Sequence, residues 1–200
     1  MTDTAIRATE YPIDAVFTRR WSPRAFDGSA LAEADILPLF EAARWAPSAY
    51  NMQPWRFLYA LRGDAHWDAF LDVLVPFNRG WAQSASALIF ILSDGKVRDT
   101  DGSAKGDSYS HSFDAGAAWA MLALQATLNG LHVHGMTGIE MDKAAAALAV
   151  PDGFRIEAAV AVGRIGDPDT LPEGLREREM PSPRKTVAEI AFAGPFPAGG

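Results

Sequence analysis

The spacing of apolar residues along the chain predicts helices over the ranges 14–20, 31–45, 64–75, 114–129 and 142–150. Pro38 lies inside the second range, so the regular helix there begins either near its start or a few residues later, near residue 35. Asp64 is a suitable N-cap for the third helix, and Pro76 is expected to end it. In the first helix, Val16 and Phe17 are expected to point inward.

Three other segments have the patterns of strands. Range 56–61 alternates apolar and polar residues, whereas 87–92 and 157–163 are continuous apolar runs, which are typical of strands covered on both faces. Range 94–112 is rich in Asp, Gly and Ser, and it is expected to be a mobile excursion. Segments with helical spacing and segments with strand patterns are therefore interspersed along the chain.

The helix predicted over 114–129 is apolar on nearly every side. Such a helix is buried over most of its surface, either in a core or at a subunit interface. Gly130 is suited to the position that follows a helix C-terminus. The chain after residue 164 is rich in Pro and Gly, with a short helix or strand expected over 187–192. Its islands of apolar residues indicate an arm that packs on another surface.

Composition narrows the class of protein. A chain of 200 residues suggests one domain, and 48% hydrophobic residues are enough for a sizeable core. The net charge of −7 offers no basic field for nucleic acid or an anionic membrane, and the absence of cysteine excludes disulfides, thiolate catalysis and cysteine metal sites. The first 13 residues lack the apolar segment of a secretory signal, and no apolar run approaches the ~18 residues that span a bilayer. We expect a cytoplasmic protein without nucleic-acid or membrane partners.

The junction 46–57 joins a predicted helix to a predicted strand. Pro47 and Pro54 each fix φ and remove a backbone donor, so this stretch is not a helix interior. Between them, Ser48, Asn51 and Gln53 place hydrogen-bonding groups beside large apolar side chains. That mixture suits a flat, partly polar ligand. The alternative is a rigid helix-to-strand loop whose Asn side chain satisfies the backbone.

Three arginines lie within six residues of one another, at Arg19, Arg20 and Arg24, with Ser22 among them. The planar fork of donors on a guanidinium group matches the oxygens of a phosphate. This cluster is therefore a candidate phosphate site. The alternative is a solvated charged turn, which short basic clusters usually form.

Other motifs are absent or weak. The chain contains neither the glycine-rich Rossmann turn nor the P-loop, and it has no Gly-x-Ser-x-Gly elbow. His132 and His134 would share one face of a strand, and Glu140 or Asp142 could add a carboxylate to a metal site. Half-buried strand histidines are the favoured interpretation.

These segments together resemble the nitroreductase-like family of FMN-dependent NAD(P)H oxidoreductases. The resemblance rests on the order and spacing of several motifs along the range 14–192: Arg19-Arg20-Trp21-Ser22-Pro23-Arg24-Ala25-Phe26, Glu41-Ala42-Ala43-Arg44-Trp45-Ala46-Pro47-Ser48, Asn51-x-Gln53-Pro54-Trp55-Arg56-Phe57, Asp114-x-Gly116, Gly130-Leu131, Met136-Thr137-Gly138 and Arg184-Lys185.

The resemblance implies an α+β fold with a central mixed β-sheet flanked by helices. It implies one domain over 1–200, with an N-terminal arm of about 1–13 and a C-terminal arm of about 181–200. It also implies an intertwined homodimer with two FMN sites at the interface.

The cofactor-binding residues that the resemblance implies are Arg20, Trp21, Ser22, Arg24, Pro47, Ser48, Ala49, Asn51, Gln53, Met136, Thr137, Gly138 and Arg184. Among these, Arg20, Ser22 and Arg184 would meet the phosphate and ribityl chain, and Arg24 would lie near the pyrimidine side of the flavin. The isoalloxazine ring would be lined, partly from the other subunit, by Pro47, Ser48, Ala49, Asn51 and Gln53. Thr137 and Gly138 would present backbone N–H groups towards N5.

One position departs from the family pattern. Many relatives carry a basic residue near the flavin O2, about where this chain has Trp81. Either Arg79 replaces that residue or nothing does.

The implied activity is a two-step electron transfer. NADH or NADPH would reduce bound FMN, and an electron-poor small molecule such as a nitroaromatic or quinone would then take the electrons by a ping-pong mechanism. No metal and no catalytic side chain is expected, because the hydride chemistry belongs to the flavin. A flavin-storage or sensor protein without turnover is the alternative, and a metal hydrolase using His132 and His134 is a third.

Overall fold

The computed structural model of the chain describes residues 7–197, and it confirms the α+β class. Residues 1–6 and 198–200, which belong to the two expected arms, lie outside the described residues. The helices are α1 (Ala15–Arg19), α2 (Glu33–Ala43), α3 (Trp67–Asp72), α4 (Pro76–Ala82), α5 (His111–Leu128), α6 (Met141–Ala147) and α7 (Glu173–Arg176). The strands are β1 (Trp55–Leu61), β2 (Ala87–Asp94), β3 (Lys96–Arg98), β4 (Ala104–Asp107), β5 (His132–Met136) and β6 (Phe154–Gly163).

The central sheet has four strands in the order β1-β2-β6-β5, and every neighbouring pair is antiparallel. The expectation of a mixed sheet is therefore wrong for the strand pairs within the described chain. The reason lies in the connections. Strands β2 and β5 point the same way and are joined through α5, but β6 lies between them, so they share no hydrogen bonds.

Helices cover both faces of the sheet, and β2 lies at its centre with all eight residues buried. Leu88, Phe90 and Leu92 face a core that includes residues of α3, α4 and α6, whereas Ile89 and Ile91 face a second core that includes residues of α2 and α5. Burial on both faces explains the continuous apolar run of this strand. The two buried strands predicted from such runs correspond to β2 and β6.

Two helix details differ from expectation, and a third decides between two start points for α2. Pro76 does not end a helix; it is the first residue of α4, where its missing N–H has no intrahelical partner to lose. Pro38 lies inside α2, which nevertheless starts at Glu33 because the Asp35 carboxylate accepts the Ala32 N–H at 2.8 Å. Phe17 points outward and is about half exposed, whereas Val16 is buried as expected.

Range 94–112, which was expected to be a mobile excursion, contains regular secondary structure. Its centre is the β3–β4 hairpin, in which Lys96 pairs with Asp107 across the strands at 2.5 Å. A second pair, Lys105 with Asp99 at 2.9 Å, supports the hairpin tip. The Gly95 N–H donates to the Gly153 carbonyl at 2.8 Å, which attaches the hairpin to the loop before β6.

Helix α5 buries one face, including Ala118 and Leu122, against the sheet. Its other face carries Phe113, Ala117, Ala120 and Leu128, at least two of which, Phe113 and Leu128, are well exposed. An unpaired apolar face on the longest helix of one chain is typical of an interface with another chain. No helix within the described ranges is long and apolar enough to cross a membrane.

Candidate functional site

Arg20 lies where three cavities meet, because its side chain lines all of them. The strand-edge cavity, of about 850 Å³, lies beside the end of β5, between α1, α4 and α5. The arginine pocket, of about 230 Å³, lies under the segment 20–24 and the chain around Ser182. The arm cavity, of about 660 Å³, lies between the chain before α1 and the segment 183–187.

The segment that carries Arg20 and Arg24 is held from three directions. The Glu179 carboxylate accepts the backbone N–H groups of Arg24 and Ala25 at 2.6 and 2.8 Å. The His134 Nδ1–H donates to the Pro23 carbonyl at 3.0 Å. The Gly166 N–H donates to the Ala25 carbonyl at 2.8 Å. These contacts bind the segment to β5 and to the C-terminal part of the chain.

The arginine pocket concentrates positive charge in a protein whose net charge is −7. Its lining includes five arginines: Arg7, Arg20, Arg24, Arg178 and Arg184. Among residues 7–197, none of the five forms an ion pair with a carboxylate. The Arg24 Nε is buried and has no hydrogen-bond partner in that part of the chain. Arg7, Arg20 and Arg24 are partly buried, whereas Arg178 and Arg184 are exposed. Guanidinium groups without carboxylate partners are what an anion site requires.

Two of these arginines repel their neighbours. Burial, followed by the charges of Arg184 and Arg7, lowers the pKa of Arg20 below its ordinary value. Burial and the charge of Arg184 likewise lower the pKa of Arg7. A bound dianion would offset both the burial and the mutual repulsion, so it would stabilise this arrangement.

The two strand histidines pack beside tryptophans. His134 lies 4.7 Å from the Trp81 ring, and His132 makes an edge contact with Trp21 at 6.1 Å between ring centroids. Glu140 pairs with Lys143 at 3.7 Å. Among the described residues, no three His, Asp or Glu side chains are grouped closely enough to hold a metal ion.

His134 should make the cofactor-free protein less stable in mild acid. Burial, with a smaller contribution from Arg24 and Arg20, lowers the pKa of His134 from 6.5 to about 4. Below pH 6.5 this histidine is therefore protonated in the unfolded chain but remains neutral in the folded chain until the pH approaches 4. The free energy of unfolding consequently falls as the pH falls from 6.5 towards 4. Between pH 7 and pH 5 this single group should cost about 2 kcal/mol of unfolding free energy.

Urea unfolding of the wild type and of His134→Gln at both pH values checks this prediction. The glutamine variant keeps a donor for the Pro23 carbonyl and loses the titration, so its pH dependence should be smaller by about 2 kcal/mol. Equal pH dependence in the two proteins would show that His134 is protonated normally in the folded state.

The strand-edge cavity is closed at one end by a tight backbone contact at Gly138. The Gly138 carbonyl accepts the Val75 N–H and the Asn78 side-chain amide, both at 3.1 Å. A Cβ at this position would lie 2.3 Å from Asn78 Nδ2 and 2.9 Å from Val75 Cγ2. Within residues 7–197, the N–H groups of Thr137 and Gly138 donate to no other backbone group, although both residues line the cavity. These donors remain available to a ligand.

Gly138→Ala should therefore destabilise the protein by about 1–3 kcal/mol, because the added methyl group forces the buried Asn78 side chain to move. Gly80→Ala is the matched control, since Gly80 is exposed within α4 and a methyl group added there would have nothing within 4 Å. The control should be neutral or stabilising by about 0.5–1 kcal/mol. Equal melting temperatures for the wild type and Gly138→Ala would contradict the close contact.

The loop 47–53 lies at the other edge of the sheet, before β1, and lines none of the three cavities of its own chain. Tyr50, Asn51 and Gln53 have φ of 51°, 55° and 48°, in the left-handed region that non-glycine residues rarely adopt. The Ala49 N–H donates to the buried Asp114 carboxylate at 3.2 Å. Backbone strain of this kind persists where the surrounding structure fixes it, and it clusters at functional sites.

Trp81, where many relatives carry a basic residue, is buried. The Arg79 guanidinium pairs with Asp72 at 2.7 Å on the surface. Arg24 lies over the Trp81 ring, with 6.0 Å between its Cζ and the ring centroid.

The predicted site residues fall into two groups in one chain. The first group meets around Arg20: Arg20, Trp21, Ser22, Arg24, Met136, Thr137, Gly138 and Arg184. The second group is the separate loop: Pro47, Ser48, Ala49, Asn51 and Gln53. Sequence reasoning missed Arg7, Arg178, Glu179 and Asn78. Arg7, Glu179 and Asn78 act through contacts distant in sequence, and Arg178 lines the arginine pocket. Only their residue types gave any signal.

Comparison with known proteins identifies the family. Residues 17–75 match the sequence profile of the nitroreductase family. An uncharacterised 15.4 kDa protein of Mycolicibacterium smegmatis is 35% identical over 147 residues, which are 70% of this chain and 95% of that protein. The chain belongs to the nitroreductase family.

Solved structures resemble the whole chain. A crystal structure described as an oxidoreductase containing FMN is 48% identical, with a TM-score of 0.93 over 98% of this chain and 99% of that one. A structure described as a putative nitroreductase in complex with FMN, from Desulfovibrio desulfuricans, is 24% identical, with a TM-score of 0.70 over 94% of this chain and all of that one. The second likeness shows the fold alone.

Proposed function

We propose that this protein is an FMN-dependent oxidoreductase that takes electrons from NADH or NADPH and passes them to an electron-poor small molecule. One observation carries the proposal: an arginine pocket without carboxylates joins, at Arg20, a cavity lined by the free N–H groups of Thr137 and Gly138. The FMN-containing relative at 48% identity supports the choice of ligand.

Different residues bind the phosphate and the ring of FMN in this proposal. Arg20 and Arg184, with the Ser22 hydroxyl 3.3 Å from Arg20 Nη1, hold the phosphate and the ribityl chain. The ring occupies the strand-edge cavity, where Met136 supplies an apolar wall and Thr137 and Gly138 donate N–H groups to its polar edge. Glu179 fixes the backbone at Arg24, which places positive charge beside the ring. FMN, when bound, supplies the two-electron chemistry, and donated N–H groups and nearby cations favour its reduced, anionic form.

In this proposal, loop 47–53 of another subunit completes the site. Loop 47–53 lines none of the three cavities described above, and α5 has an apolar face with exposed Phe113 and Leu128. A homodimer that packs these faces together would bring Asn51 and Gln53 of one protomer to the ring held by its partner. Each chain is one domain, whose two arms meet where Arg7 donates to the Ser182 carbonyl at 3.1 Å.

Anaerobic titration of the FMN-loaded protein with NADH and with NADPH tests the activity. We expect the visible flavin absorbance to bleach with at least one donor and to return when a quinone or nitroaromatic is added. Flavin absorbance that persists with both donors would contradict the proposed enzyme activity and favour a flavin-binding protein without turnover.

A further inference from the structure

The proposed flavin position leaves the arm cavity unused. This cavity of about 660 Å³ falls within the roughly 300–1,000 Å³ of small-molecule sites. It shares Arg7, Arg20 and Arg184 with the arginine pocket, so a ligand could extend from one into the other. The residues that line the arm cavity therefore indicate which chemical group could lie next to a phosphate bound in the arginine pocket.

The cavity is basic at the end next to the arginine pocket. Arg7, Arg20, Arg184 and Lys185 line it, and Glu10 is the one carboxylate among its lining residues within the described chain. Glu10 accepts the Val187 N–H at 3.0 Å, which ties the two arms together. The Arg7 guanidinium donates to the backbone carbonyls of Thr18, Arg20 and Ser182. Arg7 therefore contributes positive charge to the cavity and holds its two walls together.

The rest of the cavity is apolar and presents flat surfaces. Tyr11, Ile13, Phe17 and Val187 line it, and each is 40–63% exposed in the single chain. Aromatic and aliphatic faces beside cationic groups suit a planar base attached to a phosphate.

We propose that the arm cavity binds the adenosine 5′-phosphate half of a dinucleotide. The base stacks on Tyr11 and Phe17, and Lys185 with Arg184 holds the phosphate. The nicotinamide electron donor is the dinucleotide that fits the proposed function. FAD carries the same adenylate group, and competition experiments distinguish the two. The inference rests on the proposed function, because that function places the flavin phosphate in the neighbouring pocket.

Binding of AMP to the FMN-loaded protein, measured by calorimetry, tests the proposal. Tyr11→Ala and Lys185→Ala should each weaken AMP binding by about tenfold and leave the FMN dissociation constant unchanged. Lys105→Ala is the control, because Lys105 lies on the hairpin and pairs with Asp99; it should change neither. FMN affinity is measured separately, so loss of the proposed function is distinguishable from loss of this site.

Competition identifies the source of the adenylate. AMP that competes with FAD for cofactor-free protein, but not with FMN, would assign the cavity to a FAD adenylate and would contradict the proposed FMN cofactor. AMP that competes with NADH or NADPH in the reduction of bound FMN assigns it to the donor. Three results would overturn the proposal: no AMP binding at millimolar concentration, equal binding by both variants and the wild type, or displacement of FMN by AMP and by inorganic phosphate alike.

Discussion

Arg20→Ala is expected to weaken FMN binding by about ten- to a hundredfold while the fold stays intact. Arg20 is the residue that lines all three cavities, and it belongs to a pocket without carboxylate partners. A hydrogen bond to a charged group contributes roughly 1.5–3 kcal/mol, and about 1.4 kcal/mol changes an affinity tenfold. The fold should survive, because removing one of several mutually repelling guanidinium groups relieves repulsion from Arg184 and Arg7.

Quenching of FMN fluorescence by cofactor-free protein measures this change directly. Arg79→Ala is the matched control, since it removes an exposed arginine that pairs with Asp72 and lines none of the three cavities. The control should bind FMN as the wild type does. An unchanged dissociation constant in Arg20→Ala would rule out its role in phosphate binding.

A mixed dimer of two defective chains should recover one FMN site. In our proposal Arg20 acts from one protomer and Asn51 acts from its partner, so the Arg20→Ala and Asn51→Leu homodimers each carry two damaged sites. In a mixed dimer, one site combines both intact residues and the other combines both substitutions. Loss of the Asn51 amide should weaken binding by about tenfold, because a polar edge of the ring is left unpaired.

Two affinity tags allow the mixed dimer to be isolated, and sedimentation verifies that all three species are dimers. We expect one FMN per mixed dimer with wild-type affinity, against weak binding by both parents. If the mixed dimer bound FMN no more tightly than its parents, Arg20 and Asn51 would act within one chain. Circular dichroism of each variant distinguishes a damaged site from an unfolded chain.

The central strands of the fold could be predicted because their signal is local. The run of β2 is apolar at every position from Ala87 to Leu92, and the structure buries alternate residues in two different cores. The order of the strands in the sheet could not be predicted. It depends on where the connection through α5 places β5 relative to β2, and the apolar patterns of the strands carry no signal for that position.

The β3–β4 hairpin did leave a signal in the sequence. Asp101-Gly102 is a dipeptide typical of hairpin turns, and Gly102 has a φ of +85°. The content of Asp, Gly and Ser led to the expectation of a mobile excursion. In the structure Lys96 pairs with Asp107 and Lys105 pairs with Asp99, across and around the hairpin.

The candidate site was predicted where its residues are close in sequence, as in the segment from Arg20 to Arg24. Glu179 was not found, because it acts on Arg24 from 155 residues away through a carboxylate that has no local motif. Arg7 likewise reaches Ser182 across 175 residues. Such contacts depend on the tertiary fold, and composition alone does not distinguish these side chains from solvated charges.

The visible absorption spectrum of the purified protein tests the central claim most directly. We predict the two visible bands of an oxidised flavin, with one molecule released per chain on denaturation and identified as FMN by chromatography. A colourless protein that also fails to take up added FMN would contradict the assignment of the arginine pocket and the strand-edge cavity to a flavin.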